Sequence, residues 1–77
     1  MSETKEQLVK LIAELFECDQ TEVTGDIGPG ELEGWDSLGH VSLMTEIQER
    51  FGTHIAVEDA IEIESVDEIV ALLNRST

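Results

Sequence analysis

The sequence predicts an all-α fold: a four-helix bundle with three longer helices, one short helix and a long loop between helices 1 and 2. Three observations predict it. Apolar residues recur at helical spacing in three stretches bordered by capping or stop residues. Hydrophobic types make up 40% of the chain but include only one tryptophan and two phenylalanines, so the core must be built from Leu, Ile and Val, which suits simple helical packing. Between the first two stripes the periodicity is lost among Thr, Asp, Gly and Pro.

The first stripe, Leu8, Leu11, Ile12, Leu15 and Phe16, predicts a helix over about residues 5–17, with Thr4 and Gln7 spaced as a capping box. From Cys18 to Asp36 runs the connection, broken at Asp26-Ile27-Gly28-Pro29-Gly30. Connections this long are uncommon in compact domains unless they are functional. Val23, Ile27, Leu32 and Trp35 punctuate it and are expected to pin it to the core as an ordered loop.

The second helix is expected from Ser37 to Phe51, with Leu38, Val41, Met44, Ile47 and Phe51 as its apolar stripe and Gly52 as its stop. Leu43 falls off that stripe and is expected to be partly exposed. Residues 57–62 predict one or two helical turns, with Val57, Ala60 and Ile61 as the buried side, too short to stand without tertiary support. Ser65 and Glu68 form a second capping box, opening a final helix on Val66, Ile69, Val70, Leu72 and Leu73 that ends near Asn74. With no repeat, low-complexity segment or boundary, residues 1–77 read as a single domain.

A chain of 77 residues has little surface to spare for a catalytic cleft, which argues against a self-contained enzyme. Eighteen acidic residues against four basic ones give a formal charge of -14. That charge repels nucleic acid and anionic lipid and favours partners with basic docking surfaces. The same charge keeps a small domain soluble, and a monomer is expected. The single cysteine, Cys18, permits neither an internal disulfide nor a thiolate cluster. The polar start Met1-Ser2-Glu3-Thr4-Lys5 and the lack of any long apolar run lead us to expect a cytoplasmic, independent protein that does not bind membranes.

The most informative stretch is Gly34-Trp35-Asp36-Ser37-Leu38-Gly39, which puts a hydroxyl at the start of the second helix. Its simplest reading is structural: Asp36 and Ser37 are good capping residues. The same geometry exposes the Ser37 hydroxyl where unpaired amides and the positive end of the helix dipole favour an attached phosphate. A hydrolase triad of Asp36, Ser37 and His40 fails on geometry, since Asp36 would lie on a neighbouring face and Trp35 stands where a nucleophile elbow needs glycine. Asp26 opens no calcium loop, because Gly28 and Gly30 replace oxygen ligands. His40 and His54 lack ligands at metal spacing and read as ordinary surface or half-buried histidines, so no metal site is expected. Residues 58–68 hold six acids and no base, a solvated face or a docking surface.

Over roughly residues 5–74 the pattern resembles the phosphopantetheine-bearing carrier family, the acyl carrier and peptidyl carrier proteins of fatty acid, polyketide and nonribosomal peptide synthesis. The motif that carries the resemblance is Asp36-Ser37-Leu38, after a long loop and before a stripe ending at Phe51-Gly52. It implies that the chain is a non-catalytic carrier whose Ser37 takes phosphopantetheine from coenzyme A on a separate, magnesium-dependent phosphopantetheinyl transferase. Asp36 would help hold the metal and the transferase. The arm would carry acyl or aminoacyl groups as thioesters to a loading enzyme and to downstream synthases or transferases. Leu38, Leu43, Glu46 and Glu49 would meet those partners, while Val41 and Met44 are assigned to the core.

Carriers of primary fatty acid synthesis generally have acids just after the motif, whereas this chain has Gly39, His40 and Ser42. The resemblance therefore implies a stand-alone carrier of a specialised polyketide, nonribosomal or modified fatty acid pathway, with housekeeping fatty acid synthesis as the alternative. An acidic helical interaction module without a cofactor is the alternative from another class.

Overall fold

The computed structural model describes residues 3–75 and, among them, four α-helices and no strand: α1 (Glu3–Leu15), α2 (Ser37–Phe51), α3 (Val57–Glu62) and α4 (Val66–Arg75). A 3₁₀ turn at Gln20–Glu22, absent from the sequence expectation, tightens the long connection. The architecture is the expected all-α arrangement of three longer helices and one short one. None of the described helices is long and apolar enough to cross a membrane.

One core serves all of it. Leu8, Leu11 and Ile12 enter from α1, Leu43, Met44 and Ile47 from α2, and Val66, Ile69 and Leu73 from α4. Val23 and Trp35 join them from the long connection, and Ile55 and Ile63 from the segments flanking α3. Ile27 and Leu32 are half-buried against this cluster, so all four expected anchors hold the loop. Backbone bonds complete the attachment. The amides of Val66 and Asp67, orphans at the start of α4, donate to the carbonyls of Ile27 and Gly25 at 2.8 and 2.9 Å. A loop that supplies the acceptors for another helix's first turn is fixed at both levels, side chain and main chain.

The helix ends follow capping chemistry with local departures. Thr4 lies inside the first turn of α1, so it does not cap that helix. The helix stops at Leu15, a little short of expectation, where Glu17 takes a left-handed φ of 55° and the Cys18 amide donates to the Ala13 carbonyl at 2.9 Å. At the end of α2 Gly52 adopts φ 62°, and the amide of Thr53 reaches Gln48 O at 3.2 Å. In the Ser65 box the Glu68 amide donates to Ser65 Oγ at 3.2 Å, but the Glu68 carboxylate accepts from the Glu64 amide rather than that of Ser65. Helix α4 then runs one residue past Asn74.

Two burial expectations are corrected. In α2, Leu43 is fully buried, whereas Val41, assigned to the core, is 63% exposed. The inward stripe is His40, Leu43, Met44, Ile47 and Phe51, at i, i+3, i+4, i+7 and i+11, and it begins on a polar residue that hydropathy discounts. Leu43 therefore cannot be a partner contact. In α3, Val57 and Ile61 face solvent at 73% and 75% exposure, and of the three residues expected to be buried only Ala60 is partly so. The burial expected of that helix is carried by Ile55 and Ile63 just outside it. Ala60 instead joins α3 to the start of α2 through its backbone carbonyl, which accepts from His40.

Candidate functional site

At the junction of the long connection with α2, Asp36 is the N-cap: its backbone is extended and its Oδ1 accepts from the Gly39 amide at 2.9 Å. Its carbonyl accepts from the His40 amide at 2.8 Å. The amides of Ser37 and Leu38 remain as the outward donors of the first turn. Ser37 itself is the first helical residue and is exposed, with Leu38 beside it at 79% exposure. The site is thus a solvent-facing hydroxyl over a helix amino terminus, an arrangement whose dipole and free amides suit a phosphate ester.

Close packing beneath the hydroxyl fixes its position. A Cβ on Gly39 would lie 1.9 Å from the carbonyl oxygen of Gly34, so only glycine lets the turn before the motif lie against the first turn of α2. Trp35 is fully buried, its ring stacked on Phe16 with centroids 5.6 Å apart. Its carbonyl accepts from the Gly30 amide at 2.6 Å, and its own amide donates to Leu32 O at 3.0 Å. The residue immediately before Asp36 is therefore held by the core and the main chain together.

His40 completes this junction. Trp35 Nε1–H donates to His40 Nδ1 at 3.0 Å, and His40 Nε2 lies 2.8 Å from the carbonyl oxygen of Ala60. Since Nδ1 accepts, Nε2 carries the proton and donates to Ala60, which sets a neutral tautomer. The near-coplanar rings, 15° apart with centroids 6.2 Å apart, fit this in-plane bond rather than face-to-face overlap. Both nitrogens are occupied, so His40 has none left to deprotonate Ser37, and the hydrolase arrangement is excluded on geometry. The expectation of an ordinary surface or half-buried histidine agrees with the half-burial of His40 and misses both of its hydrogen bonds. The available signal was its place at the head of the inward stripe, five residues after the only tryptophan.

The structure separates the remaining partner candidates. Glu46 sits roughly 13 Å along the helix from Ser37 and Glu49 roughly 18 Å. Glu46 is within 3.7 Å of Arg50, which also reaches Glu14 at 3.8 Å, while Glu49 is exposed. The open cleft of about 470 Å³ beside Gly39 and Ser42 is rimmed by Glu17 and Glu33, the wrong sign for an anion. Cys18 is half-buried, and burial, with Glu22 and Asp19 nearby, pushes its thiol pKa up and its reactivity down. His54 is exposed, and no cluster of metal-ligating side chains occurs among the described residues.

Against this geometry the comparison with known families is direct. The family model described as a phosphopantetheine attachment site matches residues 6–73. The match runs from α1 to the end of the α4 core stripe and takes in the whole Trp35–His40 junction. The match supports a carrier of phosphopantetheine over the cofactor-free interaction module that the charge alone would allow.

Proposed function

This chain belongs to the phosphopantetheine attachment family of acyl and peptidyl carrier proteins, and on that premise we propose that Ser37 is the residue that takes the arm. Members of the family tether acyl groups on covalently attached phosphopantetheine and work with transferases and synthases. The observation that carries the assignment is an exposed serine at the first position of α2, capped by Asp36 and followed by exposed Leu38, inside the matched region.

Loading forms a bond between Ser37 Oγ and the β-phosphorus of coenzyme A and breaks that phosphorus's bond to the bridging oxygen of the nucleotide half. The 3′,5′-bisphosphorylated adenosine leaves, and the serine proton passes to a base on the transferase, since both ring nitrogens of His40 are already engaged. The amides of Ser37 and Leu38 and the dipole of α2 favour the new phosphodiester. Asp36 spends one carboxylate oxygen on the Gly39 amide and can turn the other toward the transferase and its magnesium. When bound, the arm supplies a thiol that holds cargo as a thioester and sweeps it between active sites at high effective concentration.

The partner surface proposed is Leu38 and Val41 on α2 with Val57 and Ile61 on α3, four large apolar side chains exposed by 63–79% close to the His40–Ala60 contact. The acids Glu58, Asp59 and Glu62 flank it on α3, so the matching partner is a synthase or loading enzyme with an apolar centre and a basic rim. Glu49 lies farther along α2 as an outlying contact, and Glu46 is partly neutralised by Arg50. The position after the motif is held by Gly39 and His40 rather than by acids, which favours a specialised acyl or aminoacyl pathway over housekeeping fatty acid synthesis.

The test is intact mass after incubation with coenzyme A, magnesium and a broad-specificity phosphopantetheinyl transferase. The wild type gains one phosphopantetheine and Ser37→Ala gains none. Equal gain by both would overturn the assignment of Ser37.

A further inference from the structure

We propose that His40 is a specificity-determining latch: by joining Trp35 to α3 it closes the Ser37 end of the bundle, so that the carried group stays outside the core and the carrier suits short or polar cargo. The inference rests on Ser37 bearing the arm.

The physical reason begins with α3. Six residues cannot form a stable helix alone, and this one turns its two large apolar side chains to solvent. What fixes it is Ile55 and Ile63 at its flanks and the 2.8 Å bond from His40 Nε2 to the Ala60 carbonyl. Ala60 is in the last turn, where carbonyls lack a regular helical partner, and the Ile63 amide reaches the same oxygen only at 3.4 Å. His40 is therefore the side chain that caps α3 and draws it onto α2.

On its other side the imidazole is bound to the indole of Trp35, which is fully buried and stacked on Phe16. The series Phe16, Trp35, His40, Ala60 thus runs unbroken from the end of α1 across the start of α2 to α3. An alkyl chain entering between α2 and α3 at this point must break the part-buried His40–Ala60 bond, and one that displaces the imidazole altogether also leaves Nε1 of the fully buried Trp35 without its acceptor. The core behind the latch is occupied by Leu43 and Ile47, both fully buried, so a guest would have to displace side chains rather than fill a void.

The experiment loads the wild-type chain with acetyl- and octanoyl-phosphopantetheine from the two coenzyme A thioesters, using a promiscuous transferase. Mass reports attachment separately from the latch: no adduct overturns the assignment of Ser37, and the latch's role in selecting cargo with it. With both adducts made, melting temperature and the emission of Trp35, the only tryptophan, report where the chain lies. The latch predicts melting temperatures within about 1 °C of each other and a shared emission maximum. A rise of about 4 °C or more with octanoyl, accompanied by an emission shift, would overturn it.

In His40→Ala the octanoyl form should melt above the acetyl form by about that amount, as the chain finds the opened bundle end. Equal melting of the two loaded forms of this variant would show that His40 is not the determinant. If His40→Ala does not fold, His40→Phe makes the same comparison with an aromatic ring kept, though a larger one, and both hydrogen bonds lost. His40→Gln, whose amide can accept from Trp35 and donate to Ala60, should restore wild-type insensitivity to chain length, and failure to do so would count against a hydrogen-bonded latch.

Discussion

The first turn of α2 and the neighbouring α3 are held in opposite ways. The α2 start is over-determined: Asp36 caps it, Gly39 packs on the Gly34 carbonyl, and Trp35 is sunk into the core just before it. Helix α3 has Ile anchors only outside its ends, one imidazole bond inside, and two large side chains in water. On the proposed assignments, the attachment point is built for fixed position and the surface beside it for contact. A carrier visited by several enzymes gains from this division, because the serine must be presented identically to each while the contact surface adapts.

The contrast can be broken most severely at Trp35. Trp35→Ala removes the largest fully buried side chain and leaves His40 Nδ1 without its donor. A loss of about 3–5 kcal/mol is expected in urea unfolding. For a domain of this size that approaches the whole stability. A loss below about 1 kcal/mol would mean that the α2 start is not held from beneath.

Asp36→Ala should act at intermediate size and on two readouts. Removal of the N-cap costs about 1 kcal/mol of unfolding free energy. Phosphopantetheine loading should slow while the helical circular dichroism persists. Unchanged loading kinetics would confine Asp36 to capping.

The smallest effect on stability is expected on α3. Val57→Ser with Ile61→Ser alters side chains that are 73% and 75% exposed, so stability should change by only about 0.5 kcal/mol. Transfer of cargo by the cognate enzyme should nevertheless fall through a raised KM. Normal transfer kinetics would remove α3 from the partner surface.

Much of this was legible in the sequence. Both ends of α2 follow from an Asp before the helix and a Gly after it, residues whose capping geometry is local. The loop anchors Val23 and Trp35 were legible because isolated apolar residues in a polar connection have few other uses. The motif and its position also point to the family from the sequence alone. What misled was tertiary. The inward face of α2 begins at His40, so a stripe drawn from hydropathy rotated toward Val41 and put Leu43 outside. In α3 six residues leave the periodicity too short to choose a face, and contact with His40 chose Ala60. The same contact explains why a histidine that hydropathy treats as surface sits half-buried between two elements.

The central claim is that Ser37 carries the arm, and tandem mass spectrometry of the protein isolated from its own host tests it most directly. The account predicts a phosphopantetheine adduct on the peptide containing Ser37, at the serine oxygen itself. A chain in working use in that host with Ser37 uniformly unmodified, or with the adduct on another residue, would contradict it.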